Sequence, residues 1–156
     1  LGTTTGQEIV EHTKIKAISF TGGTETGKII AKTAAPMFKK ISLELGGKNP
    51  NIIFADCDFD KMLTPTVKSS FSNQGQICLC GSRIFVEASL FEQFKTDFIE
   101  RVSQLTVGHP SNESTQVGAL VSKAHYEKVL TFIDAVDSNE SKLLYGGQRV
   151  LYLKNI

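Results

Sequence analysis

Three features of this 156-residue chain could do chemistry. Cys78 lies in the segment Gln74-Gly75-Gln76-Ile77-Cys78-Leu79-Cys80-Gly81. A thiolate between glycines joins a strong nucleophile to backbone amides that can point at a substrate oxygen. The competing reading is a buried structural cysteine, since free cysteine is among the most buried residue types. Glu44 falls within the apolar run Ile41 to Leu45, directly before Gly46-Gly47. That is a setting in which a carboxylate becomes a usable general base near neutrality. Strand alternation in KISLEL (Lys40 to Leu45) puts Lys40, Ser42 and Glu44 on one face, so on spacing alone a solvent-facing carboxylate is the simpler account. Gly22 to Gly27 forms Gly-x4-Gly between a strand and a helix start, where free amides and the helix dipole favour a phosphate. It has neither the Gly-Lys-Ser/Thr ending of a triphosphate loop nor the Gly-x-Gly-x-x-Gly dinucleotide pattern, so alone it also reads as a tight turn. Cys78 and Cys80 make Cys-x-Cys, but His12, His109 and His125 are scattered and Cys-x-x-Cys is absent, so no metal site is expected.

The elements that must position these residues are legible in the pattern. Ile15 to Phe20 reads as a strand ending at Thr21-Gly22-Gly23, and Glu25 to Ala35 as a helix stopped at Pro36. With a strand at Lys40 to Leu45, closed by Gly46-Gly47, this makes a βαβ unit. A further strand is expected at Asn51 to Phe54. Asp56 and Asp58 offer caps to a helix over Phe59 to Asn73, bent near Met62 to Pro65 by the interior proline. Asn73 to Gln76 breaks it, and Arg83 to Glu87 reads as the next strand, which leaves Cys78 in the loop between them. Amphipathic helices follow at Ser89 to Leu105 and Ser122 to Val136, separated by Gly108-His109-Pro110 and the polar loop Ser111 to Gln116. Strand-like runs close the chain at Lys142 to Tyr145 and Val150 to Ile156. The class is α/β with parallel crossovers.

Composition narrows the function classes. There are 17 Lys+Arg against 16 Asp+Glu, a net charge of +1, with 40% hydrophobic residues, which gives no basic stripe for nucleic acid and no polybasic segment for anionic lipid. Neither a spanning helix nor a secretory leader is visible. Three cysteines, an odd number, favour free thiols in a reducing compartment, so a cytoplasmic protein is expected.

Taken together, LELGGKNP (Leu43 to Pro50), SNQGQICLCGSR (Ser72 to Arg83) and FTGGTETG (Phe20 to Gly27) resemble, in the same order, three signature segments of the aldehyde dehydrogenase superfamily. The 34 residues from Glu44 to Cys78 (78 − 44) match the family's separation of general base and nucleophile, and Gly118-Ala119-Leu120 extends the likeness. The resemblance implies NAD as cofactor and an aldehyde as substrate. Cys78 would attack the aldehyde, and Glu44 would activate the water that hydrolyses the thioester. Gly22, Gly23 and Gly27 would sit by the pyrophosphate, with Leu45 and Gly46 near the nicotinamide. Gly23 stands where serine is common in the family. Ile-Cys-Leu-Cys and the Pro65 helix are most similar to members acting on small unsaturated semialdehydes of tryptophan breakdown.

The resemblance also implies that residues 1 to 46 end a Rossmann-like NAD-binding domain and that 47 to 156 begin the catalytic domain. The chain starts with Leu1, and the family's other cofactor-gripping segments lie outside it. An internal piece of a longer homo-oligomeric enzyme is therefore expected, inactive alone and without tight NAD binding. Two other readings stay open: a truncated non-catalytic relative that binds partners, and a thiol esterase using Cys78.

Overall fold

The computed structural model describes residues 1–136 and 141–150. The chain divides into two units, Leu1–Gly47 and Lys48–Ile156. In the first, a wide helical turn at Gly2–Gly6 runs into the short helix α1 (Gln7–Glu11). The βαβ unit follows as β1 (Ala17–Gly22), α2 (Thr24–Ala34) and β2 (Lys40–Leu45), with β1 and β2 parallel. Pro36 does not end the helix abruptly. It sits in a 3₁₀ turn, Ala35–Met37, because a proline early in a new turn has no amide to lose. Phe38, with φ 52°, then reverses the chain in the left-handed region.

The second unit repeats the arrangement with β3 (Pro50–Ile53), α3 (Phe59–Phe71) and β4 (Arg83–Val86), β3 and β4 again parallel. Asp58 caps α3 by accepting from the Lys61 N–H at 3.2 Å, and the helix runs through Pro65 uninterrupted. Helices α4 (Phe91–Ser103) and α5 (Lys123–Asp134) follow, the latter capped by Ser122. Ile53, Leu63 and Phe94 form the core of this unit, with Phe98 stacked on Phe94 at 5.0 Å between ring centroids. Alternation thus sends Ile53 inward and leaves Ile52, paired in register with Phe85, exposed on the other face.

One expected element did not form. Lys142 to Tyr145 is irregular, with Leu143, Leu144 and Tyr145 about half exposed. An apolar run becomes a strand only where another strand offers its backbone donors and acceptors, and none of the described strands pairs with it. The strand expected at Val150 to Ile156 lies outside the described residues from position 151 onward. No described helix is long and apolar enough to cross a membrane.

Candidate active site

Cys78 is exposed and stands at the corner of a tight turn, Ile77 to Cys80, closed by the Cys80 N–H on the Ile77 carbonyl at 2.9 Å. The competing reading, a buried structural thiol, fits its neighbour instead. Cys80 is buried, and its Sγ accepts from the Ile77 N–H at 3.3 Å, filling the inside of the turn. Among the described residues the Cys78 N–H makes no hydrogen bond, so a free donor lies beside the exposed thiol sulfur.

The chain is bent into this turn by three consecutive left-handed residues, Asn73 (φ 50°), Gln74 (φ 57°) and Gly75 (φ 71°). Two are not glycine, and such backbone persists only where surrounding bonds over-determine it. Here the Gln76 N–H donates to the Asn73 carbonyl at 3.0 Å. With the Gln74 amide oriented to suit its neighbours, its oxygen accepts from the Gly118 N–H at 3.1 Å. His125 Nε2 meets Gln76 Oε1 at 3.1 Å. Beyond the turn, the Gly81 N–H donates to Ser69 Oγ at 3.1 Å, and Ser70 Oγ donates to the Gly81 carbonyl at 3.1 Å, which fastens the loop to α3. Asn49, directly before β3, donates through Nδ2 to the Cys78 carbonyl at 2.6 Å and to the Cys80 carbonyl at 3.1 Å. The loop therefore lies at the amino ends of β3 and β4 and is anchored on both flanks.

The remaining candidates fall in the first unit. Register sets Thr21 opposite Glu44 and Gly22 opposite Leu45, so the glycine turn and the Glu44-Leu45-Gly46 segment lie side by side at the carboxyl ends of β1 and β2. That edge is where open α/β sheets bind ligands. Glu44 is exposed, on the solvent-facing side that alternation assigned it, and not in an apolar setting. Gly23 caps α2 with no side-chain bond, which leaves the first-turn amides of an 11-residue helix uncapped. Glu25, the one acid in that turn, is paired with Lys28 at 2.7 Å, so its charge opposes an incoming anion less. The turn fits a dinucleotide's phosphates on these grounds. Gly27 is buried, and a Cβ there would come within 2.7 Å of Leu45 Cδ2, so its bare backbone brings α2 close to the end of β2.

Sequence reasoning missed the anchors Asn49, Ser69, Ser70 and His125. The one available signal was that Asn49 is a polar residue inside the LELGGKNP motif, between the two strands β2 and β3.

Comparison with known proteins adds four findings. The profile of the aldehyde dehydrogenase family matches residues 1–155. The 2-aminomuconic semialdehyde dehydrogenase of Danio rerio is 52% identical over 132 residues, 85% of this chain and 27% of the relative. The Mus musculus protein of that name is 46% identical over 145 residues, 93% of this chain and 30% of the relative. A crystal structure of betaine aldehyde dehydrogenase from Staphylococcus aureus, in complex with NAD+, aligns with a TM-score of 0.90 at 37% identity, over 96% of this chain and 30% of that one. The chain spans less than a third of the length of each of these proteins.

Proposed function

This chain belongs to the aldehyde dehydrogenase family, and from that premise we propose that it carries the nucleophile and general base of an enzyme oxidising an aldehyde to a carboxylic acid with NAD. The observation that carries the reading is the exposed Cys78 at the corner of an anchored turn, with its own N–H free. The Cys78 thiolate adds to the aldehyde carbon, giving a thiohemiacetal whose oxyanion accepts from the Cys78 N–H. NAD, when bound, accepts the hydride that leaves this carbon. Cys78 then holds the acyl group as a thioester. Glu44 takes a proton from the water that attacks the thioester, the acid departs and the thiolate is regenerated.

Solvent exposure suits Glu44 for that role, since it has to meet water. The uncapped amides of α2 with Gly22, Gly23 and Gly27 would hold the pyrophosphate, and the backbone at Leu45 and Gly46 would flank the nicotinamide. In this reading residues 1 to 46 end the cofactor domain and residues 47 to 156 begin the catalytic domain. The relatives' names favour a small unsaturated semialdehyde, 2-aminomuconic semialdehyde, as substrate. Three free cysteines suit a cytoplasmic enzyme.

The test uses the complete polypeptide, aldehyde and NAD, with NADH followed by absorbance. Cys78→Ser is expected to abolish NADH formation. Glu44→Gln is expected to give a burst of about one NADH per site and then stall at the thioester. Aldehyde oxidation by Cys78→Ser at the parent rate would overturn the assignment.

A further inference from the structure

We infer that Asn49 is the positioning residue of the nucleophile turn, its side-chain amide holding the two carbonyls that flank Leu79 so that the Cys78 sulfur and N–H face the substrate together. The inference rests on reading Cys78 as the nucleophile.

An asparagine amide has two hydrogens, and both are used here, on the Cys78 carbonyl at 2.6 Å and the Cys80 carbonyl at 3.1 Å. These bonds fix the peptide planes on the far side of Cys78 and after Cys80. From inside, Cys80 holds the turn through its amide and its sulfur. Asn49 is itself a rigid post. Its carbonyl accepts from the Arg83 N–H at 3.2 Å, tying it to the start of β4, and Pro50 restricts the backbone that follows. Asn49 is half-buried, whereas Cys78 and Leu79 are exposed, with Leu79 79% so. Among the described residues the corner thus has little packing, and hydrogen bonds hold Cys78 in place.

The chemistry requires a donor at this position. An aspartate has the same shape but no donor, and its charge would face two carbonyl oxygens. A serine offers one hydrogen on a shorter arm. A nucleophile misplaced by about 1 Å costs roughly a hundredfold in rate. Loss of both bonds should therefore appear in kcat, while NAD binding, assigned to the other unit, is left alone.

The experiment compares Asn49→Asp, Asn49→Ser and Cys78→Ser in the complete polypeptide. Steady-state oxidation is normalised to the number of sites at which iodoacetamide titrates Cys78. We expect Asn49→Asp to lower kcat per titrated site by about 10- to 100-fold, and Asn49→Ser by about three- to tenfold, each with the KM for NAD within about twofold of the parent. A purely structural role would instead reduce the number of titratable sites or the melting temperature and leave kcat per site unchanged. That result, in either variant, overturns the inference, and Asn49→Ser decides the matter alone should Asn49→Asp be insoluble. Retained oxidation in Cys78→Ser would overturn the proposed function itself, a separate outcome.

Discussion

Lys39 is buried to 8% exposure in the first unit and, among the described residues, has no carboxylate partner. The left-handed Phe38 before it turns the chain so that the ammonium reaches back 29 residues to the Val10 carbonyl, and to the His12 carbonyl at 2.8 Å. These oxygens belong to the C-terminal end of α1, where a cation also meets the negative end of the helix dipole. Replacing Lys39 with Met keeps the stem and removes every donor. The His12 carbonyl retains a bond from the Ile15 N–H at 3.1 Å, so Val10 bears most of the loss. Hydrogen bonds to charged groups contribute about 1.5–3 kcal/mol each. The desolvation that the buried ammonium no longer suffers offsets part of this. The net destabilisation should be about 2 kcal/mol, which corresponds to roughly a 30-fold rise in unit opening. Native-state hydrogen exchange reads it directly. In Lys39→Met the amides of the β1–β2 ladder should exchange about 30-fold faster, while those of β3 and β4 keep their rates. Ladder exchange within about threefold of the parent would refute the claim that this buried lysine fastens α1 to the start of β2.

Two further expectations concern the elements that hold the candidate site. Lys61, mainly through its side chain and secondly through its backbone N–H, holds the Asp58 carboxyl below its ordinary value of 3.8. A lowered folded-state pKa means stability that is present above the unfolded value and lost as pH falls through the folded one. Asp58→Asn should thus flatten the fall in melting temperature between roughly pH 5 and pH 2, and parallel curves would contradict the cap's contribution. Gly27→Val places a branched side chain where a Cβ already lies 2.7 Å from Leu45 Cδ2. Overpacking there should destabilise by about 1–3 kcal/mol in denaturant unfolding, with an unchanged midpoint as the opposing result.

Much of the framework was legible because local chemistry specified it. Alternation and glycine punctuation marked β1, β2, β3 and β4, and parallel pairing followed from the crossover helices. Asp58 and Ser122 cap their helices because short polar side chains satisfy first-turn amides wherever they precede an amphipathic run. Pairing partners were less legible, as Lys142 to Tyr145 illustrates: its apolar residues predict a strand, yet none of the described strands pairs with it.

The sequence by itself determined which residue types are available, the α/β order of elements, the loop that holds Cys78 and the strand face that holds Glu44. Each of these depends on interactions within a few residues, which composition and period record. Tertiary structure alone decided that Cys80 turns inward while Cys78 stays exposed, that Lys39 spans to α1, and that Asn49 bridges two carbonyls about 30 residues away. Such bonds join polar groups far apart in the chain. A side-chain amide or ammonium carries no mark of its acceptor until packing brings the two within about 3 Å.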